Sequence, residues 1–356
     1  MLTHASSYFQ LCSEASSHRQ QTVGGGERGC DLYDGEWVYD ESYPPLYDSS
    51  KCPFDVQEFN CQKNGRPDTD YLRYRWEPSS CDLPRFDGLE FMEKWRGKKV
   101  MFVGDSLSLN QWVSLSCMLH ASLPPNSNVS ISENRITRTH LFRDFELSVI
   151  YYHSLFLVDV VLEPSFGRVL DLDSIEQGRK NWVGIDMFIF NTWHWWSRKG
   201  PSQPWDYIRY RNTTHRDMNR VKAFAKAMTT WTTWVDGYVN SSSTKVFFQG
   251  ISPNHYSGVQ WGETSRETCM GQTQPSSPHV SYPHQTRTDP ISVNVVKKAI
   301  AGHLFSNKIK LLDVTYLSTL RKDGHPSKYG RFRLDCSHWC LPGIPDTWNH
   351  LLYVSL

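Results

Sequence analysis

Residues 100–112 constrain the fold more than any other part of this 356-residue chain. An apolar run ends abruptly at Gly104 and Asp105, and Ser106 then opens a segment whose apolar residues recur at helical spacing. The pattern predicts a strand, a tight turn and a helix, with Ser106 at the helix N-terminus. The free N–H groups and positive dipole end found there favour negative charge, such as an alkoxide or an oxyanion. Serine is also a common helix cap, so a catalytic role for Ser106 requires a base elsewhere in the chain.

Further strands and helices alternate along the chain. Apolar runs predict strands at residues 145–152, 155–162, 186–190, 246–248 and 309–314, and amphipathic patterns predict helices at residues 91–95, 216–239 and 290–304. The polar stretch 122–139 is expected to be a loop. Such alternation indicates an α/β fold with a mainly parallel sheet, whose active site lies beyond the carboxyl ends of the strands. Ser106, Asn191 and residues 252–255 all follow predicted strands, which favours a single shared site.

The charge balance excludes some classes of partner. The 38 Lys and Arg residues nearly equal the 37 Asp and Glu residues, so the formal net charge is +1. Without a cluster of basic residues and interleaved aromatics, we expect no nucleic-acid partner and no charge-driven binding to a membrane surface. The 14 Trp and 17 Tyr residues fit either an aromatic core or a carbohydrate cleft, where indole rings stack on sugars.

The nine cysteines predict an oxidising compartment. None falls in the doubled Cys-x-x-Cys spacing of a zinc module, so we expect disulfides and no metal site. Three sequons, at Asn128, Asn212 and Asn240, agree with a secretory route and are candidate glycosylation sites.

Three segments are predicted from composition. Residues 1–29 are rich in Ser, His, Gln and Gly, which predicts a disordered leader that lacks an apolar run long enough for a signal peptide or membrane anchor. We therefore expect the targeting segment to be missing from this chain, or its start to be misplaced. Residues 30–86, dense in Cys, Pro and aromatics, predict a disulfide-held domain that is either a structural belt or a substrate-contacting flap. Residues 87–356 carry the strand and helix pattern and form the predicted second domain.

A candidate base lies near the C-terminus, in the stretch Asp335-Cys336-Ser337-His338-Trp339-Cys340. An Asp and a His three residues apart can share one face of a helical turn, so that the carboxylate orients the imidazole. The two cysteines would hold the same turn in place. The chain has no Gly-x-Ser-x-Gly, His-Glu-x-x-His or phosphate-binding P-loop motif, which disfavours an ordinary α/β-hydrolase, a metalloprotease and a nucleotide-binding enzyme.

The Gly-Asp-Ser turn and the Asp-x-x-His pair together resemble the SGNH/GDSL esterase superfamily. Longer motifs are similar to those of the plant trichome birefringence-like family. Residues 30–38, 59–68 and 75–78 resemble its N-terminal domain, and residues 103–112, 191–196, 321–326 and 335–348 resemble its acyl-esterase domain. The resemblance implies an SGNH-hydrolase-like α/β three-layer sandwich with a central, mainly parallel sheet, and a disulfide-bound N-terminal segment.

The resemblance also implies a function. Members of this family are plant polysaccharide O-acetyltransferases of the Golgi, usually type II membrane proteins, and some are cell-wall esterases or proposed pectin-binding proteins. We therefore expect an acetyl group to pass through an acyl-serine to a hydroxyl of pectin or of a hemicellulose such as xylan. A pectin acetylesterase and a non-catalytic pectin-binding wall protein are the alternatives. The expected co-substrate is acetyl-CoA or a derived acetyl carrier, with no bound cofactor, and the expected protein is a monomer of the Golgi lumen or the cell wall.

Carried over by position, the resemblance makes Ser106 the nucleophile, His338 the general base and Asp335 its orienting partner. Ser106 and Asn191 are candidate oxyanion donors, although an Asn after a strand is also a common turn cap. The candidate substrate contacts are Trp193, His194, Trp196 and His255. The tryptophans 193, 195 and 196 form either a platform for a sugar or part of the core. His194 and His325 are either structural or in contact with the substrate.

Four disulfides are implied by the same resemblance: Cys30 with Cys81, Cys52 with Cys117, Cys61 with Cys340, and Cys269 with Cys336. Cys12 is left unpaired. The chain departs from the family pattern at Leu109, where many of the acetyltransferases have Arg. We expect this position to bear on the substrate class and on the choice between transfer and hydrolysis.

Overall fold

The computed structural model describes residues 30–54, 57–276, 290–302, 308–330 and 334–356. The predicted leader, with Cys12, and residues 303–304 of a predicted helix lie outside the described residues. The strands are β1 (Gly35–Tyr39), β2 (Tyr74–Pro78), β3 (Lys99–Gly104), β4 (Val129–Glu133), β5 (Thr137–Phe142), β6 (Leu147–His153), β7 (Asp159–Glu163), β8 (Gly167–Asp171), β9 (Met187–Phe190), β10 (Tyr207–Tyr210), β11 (Thr213–His215), β12 (Lys245–Gln249) and β13 (Ile309–Leu312). The α-helices are α1 (Gly88–Lys94), α2 (Ser106–Ala121), α3 (Glu176–Asn181), α4 (Arg220–Tyr238), α5 (Ile291–Ala301), α6 (Thr315–Thr319) and α7 (Ile344–Val354).

A seven-stranded sheet forms the centre of the fold, in the order β13-β12-β9-β3-β6-β5-β4. The strands from β13 to β6 are parallel, and β5 and β4 continue the sheet as an antiparallel hairpin. The prediction of an α/β fold with a mainly parallel sheet is confirmed. Because parallel strands end at one edge, the sheet brings the ends of β3, β9 and β12 together.

Helices cover both faces of this sheet. Successive side chains of β3 point to opposite faces, so Val100 and Phe102 join a core with α2 and α7, whereas Met101 and Val103 join a core with α4 and α5. Both cores are apolar and fully buried. This is the three-layer arrangement that the resemblance implies. None of the described helices is long and apolar enough to span a membrane.

Two parts of the β-structure differ from the sequence prediction. The predicted loop 122–139 contains β4 and the start of β5, because the edge strand β4 exposes most of its side chains and therefore lacks an apolar run. The strand predicted at residues 155–162 is shorter in the structure, where β7 begins only at Asp159. It belongs to a separate four-stranded sheet with β8, β10 and β11. Residues before it form a bend in which Leu157 has a φ of 61°.

Disulfides tie the N-terminal segment to the rest of the chain. Residues Asp31–Leu356 form one compact unit, and within it β1 and β2 pair through Trp37 and Trp76, whose rings meet edge to face at 5.6 Å. The implied pairs present with described geometry are Cys52–Cys117, Cys61–Cys340 and Cys269–Cys336. Cys30 and Cys81 are disulfide-bonded as well.

The three sequon asparagines, Asn128, Asn212 and Asn240, are all exposed. Each lies beside a strand or a helix end rather than within an element. Their positions are accessible to a glycosyl group, and their modification stays a prediction.

Candidate active site

Ser106 is the first residue of α2, and Asp105 is the residue that caps the helix. The Asp105 carboxylate accepts a hydrogen bond from the Leu107 N–H at 3.0 Å and from the Asn191 side-chain amide at 2.9 Å. The hydroxyl of Ser106 is therefore free of the capping role that serine commonly takes at such a position. A glycine is required at position 104, directly before Asp105, because a Cβ atom there would lie 2.5 Å from the Asn191 carbonyl oxygen.

Asp335 and His338 form a hydrogen-bonded chain that ends on Ser106. The His338 Nε2 atom lies 2.7 Å from the Ser106 Oγ atom, and its Nδ1 atom lies 2.8 Å from the Asp335 Oδ2 atom. The turn is a bend rather than the expected helical turn. The Asp335 Oδ1 atom accepts hydrogen bonds from the backbone N–H groups of Ser337 and His338, both at 3.1 Å, so the carboxylate itself shapes the bend.

The electrostatics of this pair favour an ionised Asp335. Burial alone would raise the pKa of Asp335, but the hydrogen bonds and charge of His338 outweigh it and lower that pKa to about 2. Burial alone would lower the pKa of His338, but Asp335 outweighs it and raises that pKa above its usual value. Asp335 thus keeps a negative charge across the physiological range and stabilises a positive charge on the imidazole.

A second contact fixes the candidate catalytic turn, residues 335–338, to α2 through the neighbouring Trp339. The Asn110 side chain accepts a hydrogen bond from the Trp339 N–H at 2.8 Å and donates one to the Trp339 carbonyl oxygen at 3.1 Å. Asn110 lies one helical turn after Ser106, so it faces the same side of α2. This contact was not predicted from the sequence, and the spacing of four residues from Ser106 is the signal that points to it.

The chain from Asp335 to Ser106 lies in the wall of an open cleft of about 710 Å³. Other cleft residues are Glu58, Phe59, Leu107, His194, Trp195, Ser197, Arg198, Asn254, Tyr256, Leu334 and Ser337. Glu58 and Phe59 belong to the N-terminal segment, and the Phe59 ring lies 5.5 Å from the His338 ring. The segment thus acts both as a belt, through its disulfides, and as part of the cleft wall.

The structure separates the four candidate substrate contacts. His194 lines the cleft, and the neighbouring Trp195 does so as well, with the Arg198 guanidinium 5.3 Å from the centre of its ring. Trp193 packs against Phe224 of α4. Trp196 is fully buried in the core. His255 is also fully buried, with its ring bonded to His325.

Asn191 and Leu109 lie in different surroundings near Ser106. Asn191 directly follows β9, and one hydrogen of its side-chain amide is used by Asp105. Its geometry is that of a support for the Asp105 turn, with the second amide hydrogen left for another acceptor. Leu109 is partly buried and packs against the core. In the described residues, no group of three or more His, Cys, Asp or Glu side chains is placed to hold a metal ion.

Two protein-family models together match residues 28–355 of this chain. A model described as "PMR5 N terminal Domain" matches residues 28–82, and one described as "GDSL/SGNH-like Acyl-Esterase family found in Pmr5 and Cas1p" matches residues 83–355. Among similar Arabidopsis thaliana proteins, Protein trichome birefringence-like 41 is 53% identical over 91% of this chain and 90% of its own length. Protein trichome birefringence-like 38 is 52% identical over 92% and 84%, and Protein trichome birefringence is 36% identical over 92% and 56%.

Proposed function

Since this chain belongs to the trichome birefringence-like family and carries its acyl-esterase domain, we propose that it is a polysaccharide O-acetyltransferase that works through an acetyl-serine. One observation carries the proposal: the unbroken hydrogen-bonded chain from Asp335 through His338 to Ser106, at the wall of an open cleft. That arrangement is the one that converts a serine hydroxyl into a nucleophile.

In the first half-reaction, His338 takes the hydroxyl proton of Ser106 on Nε2 while Oγ attacks the acetyl carbonyl carbon of the donor. Asp335 accepts the Nδ1–H bond and stabilises the imidazolium that forms. The tetrahedral intermediate then collapses, the bond to the leaving group breaks, and His338 returns its proton to that group. Acetyl-Ser106 is left in the cleft.

In the second half-reaction, a sugar hydroxyl gives its proton to the His338 Nε2 atom and attacks the acetyl-Ser106 carbonyl. The Ser106 Oγ atom leaves and recovers the proton from His338, and the acetylated sugar departs. Water in place of the sugar gives acetate, which is the acetylesterase alternative. Leu109 is uncharged, packs against the core and supplies no cation to the cleft. Its influence on the choice of acceptor stays a prediction.

Two donors are proposed for the oxyanion of the tetrahedral intermediate. The backbone N–H of Ser106 begins α2, where the helix dipole favours negative charge. The second amide hydrogen of Asn191 is the other, because Asp105 fixes the orientation of that side chain. Ser106 is the first residue of α2 and Asn191 directly follows β9, so both donors lie at the ends of regular elements.

The proposed acceptor is pectin or a hemicellulose such as xylan, with acetyl-CoA or a derived carrier as donor. Trp195 supplies an indole ring at the cleft on which a sugar can stack. We propose that the protein acts as a monomer in the Golgi lumen or, secreted, in the cell wall. These assignments rest on membership of the family and on the aromatic, open character of the cleft.

The proposal is tested by incubating the purified chain with an acetyl donor and analysing the Ser106 peptide by mass spectrometry. We expect an acetyl adduct in the wild type, none in Ser106→Ala, and a normal adduct in Ser132→Ala, which changes an exposed serine of β4. Unchanged turnover in Ser106→Ala would end the serine mechanism.

A panel of acetylated and unacetylated pectin, xylan and mannan oligomers, assayed in both directions, separates the alternatives. Net acetylation of an acceptor supports the transferase, and release of acetate without transfer supports the esterase. Glycan binding that survives Ser106→Ala, with no turnover of any substrate, would identify a binding protein instead.

A further inference from the structure

Two buried histidines lie directly behind the catalytic turn. His255 is fully buried and His325 is 2% exposed. The His255 Nδ1 atom lies 2.6 Å from the His325 Nε2 atom. The outer nitrogens of the pair reach backbone carbonyl oxygens: His255 Nε2 lies 3.0 Å from that of Thr319, and His325 Nδ1 lies 2.6 Å from that of His338. A continuous chain thus runs from the end of α6 to the backbone of the proposed base.

This chain of three hydrogen bonds requires three protons. A carbonyl oxygen only accepts, so His255 Nε2 and His325 Nδ1 must each carry a hydrogen. A third hydrogen must lie between the two facing nitrogens, because otherwise two lone pairs would meet at 2.6 Å in a buried site. Two neutral imidazoles carry only two such protons. The complete chain therefore holds one additional proton and one positive charge.

Several neighbours of the pair favour that charge. The Trp339 indole stacks on the His325 ring with 4.0 Å between centroids, and an indole face attracts cations. On the catalytic turn, the negative charge of Asp335 raises the pKa of His325, and a positive charge on His338 opposes it.

Two ion pairs lie beside the histidine pair, and the charge of Asp323 raises the pKa of His255. Arg321 forms a buried ion pair with Asp323. Arg66 donates to the His325 carbonyl oxygen and forms an ion pair with Asp68.

Two effects oppose the additional proton. Burial lowers the pKa of both rings, that of His255 to about 4, and the charge of Lys322 acts in the same direction on His255. The hydrogen bonds to the Thr319 and His338 carbonyl oxygens act against burial. Because each carbonyl oxygen requires a hydrogen on the nitrogen that faces it, the chain needs the additional proton only while both oxygens stay in place.

We propose that His255 and His325 share one proton and form a positioning pair that fixes the backbone of His338. This inference rests on the proposed role of His338 as general base. The backbone position of His338 sets where its imidazole lies, and the 2.7 Å contact between Nε2 and Ser106 Oγ depends on it. Neither histidine is among the residues that line the cleft, so we assign neither of them a contact with the substrate.

The kinetic test compares two substitutions of His325. We expect His325→Leu, which removes the donor to the His338 carbonyl oxygen, to lower kcat about 10- to 100-fold with KM changed less than about twofold, because misplacement of a catalytic group has that size of effect. His325→Asn restores a donor near the position of Nδ1, so we expect it to recover most of the kcat.

His350→Leu is the matched control. It removes a hydrogen bond between a buried imidazole and a backbone carbonyl oxygen, that of Pro84, on a helix away from the cleft. We expect it to lower the melting temperature and leave kcat unchanged. Wild-type kcat in a folded His325→Leu protein would overturn the positioning role.

The shared proton is tested without any turnover, by NMR of the full chain labelled with ¹⁵N-histidine in the Ser106→Ala background. We expect an exchange-protected imidazole proton that correlates with nitrogens of both rings, and its loss in His255→Gln, whose amide can donate to both neighbours without an additional proton. Two neutral rings with one N–H each would overturn the sharing. Turnover by Ser106→Ala would instead refute the proposed function. The NMR result does not depend on turnover, so the two failures are distinguishable.

Discussion

His338 experiences two opposing influences on its pKa. Burial disfavours its charged form, and the adjacent Asp335 carboxylate favours it more strongly, so the pKa lies above the usual 6.5. A general base must be neutral to accept a proton. Activity should therefore increase as the pH rises through the pKa of His338, and it should fall below that pH. Asp335 adds no second decline in the working range, because its own pKa is about 2.

Asp335→Asn should change both the height and the position of the pH profile. The two backbone N–H groups that Oδ1 accepts from would hold the amide oxygen, so the amide NH2 group would face Nδ1 and donate to it. That stabilises the wrong tautomer of His338, so we expect kcat to fall about 10³- to 10⁴-fold. Without the carboxylate, burial, the largest single influence, lowers the pKa of His338 against only the charges of Asp105 and Glu58, and the acid limb of kcat/KM should move to lower pH. The measurement is kcat/KM against pH for both proteins.

The control for this profile is Asp186→Asn, which removes the carboxylate that pairs with Lys98 on the protein surface. We expect its acid limb to coincide with that of the wild type. An Asp335→Asn profile with an unshifted acid limb would show that His338 is not the group that titrates.

At the scale of elements, the site depends on how α2 meets the turn that carries His338. Strand β3 leads directly into α2, whose first residue is Ser106. The Asn110 side chain forms hydrogen bonds with the backbone N–H and the carbonyl oxygen of Trp339. The proposed nucleophile and base are 232 residues apart in sequence. The two hydrogen bonds between Asn110 and Trp339 join the elements that carry them.

Asn110→Ala should weaken that contact. Two buried backbone groups lose their partners, and we expect the free energy of unfolding to fall by about 1–3 kcal/mol. Because the base turn is no longer fixed to α2, kcat should fall about 10- to 100-fold while KM changes little. The measurements are the melting temperature and the rate at which a fluorophosphonate labels Ser106.

Ser116→Ala serves as the comparison on the same helix. Its hydroxyl bonds to the Trp112 carbonyl oxygen and to His140, away from the cleft. We expect a loss of stability and an unchanged rate of Ser106 labelling. If Asn110→Ala also left the labelling rate unchanged, the contact with Trp339 would be structural only.

The elements that could be predicted from sequence are those with strong local patterns. The apolar run before Ser106 and the long amphipathic pattern of α4 both correspond to observed elements. The hairpin of β4 and β5 could not be predicted, because its stability comes from pairing with β6 and not from its own apolar content.

The same limit applies to the site. Ser106, Asp335 and His338 carry a recognisable motif, whereas the contact of Asn110 with Trp339 depends on two distant segments meeting in the fold. His255 follows a strand, as expected of a site residue, yet it is buried behind the cleft. Strand ends indicate which residues gather at one edge of the sheet, but they do not indicate which of them face solvent.

At the scale of the whole molecule, the aromatic composition serves mainly the core. The largest fully buried side chains include Trp196, Trp205, Trp231, Trp339 and Trp348, whereas Trp195 is the tryptophan in the cleft wall. The N-terminal segment completes that wall with Glu58 and Phe59. The integrity of the cleft thus depends on how firmly this segment is held to the end of the chain.

Two disulfides hold the segment, and they should differ in their effect on catalysis. Cys61–Cys340 joins it to the turn two residues after His338, across 279 residues of sequence, whereas Cys52–Cys117 joins it to the far end of α2. Replacing either pair with serines should cost about 2–5 kcal/mol of unfolding free energy. Only the loss of Cys61–Cys340 should also lower kcat at a temperature where both variants are folded, because it releases both Phe59 and the turn of His338.

Circular dichroism melting curves and turnover measured well below both melting temperatures check this difference. The Cys52→Ser/Cys117→Ser variant is the matched control, since it removes one bond of the same segment without touching the turn. Equal kcat values in the two variants would mean that the remaining contacts of the turn, with Asn110, His325 and Cys269, are enough to keep His338 in place. A selective loss of kcat without Cys61–Cys340 would mean that the segment is part of the catalytic unit.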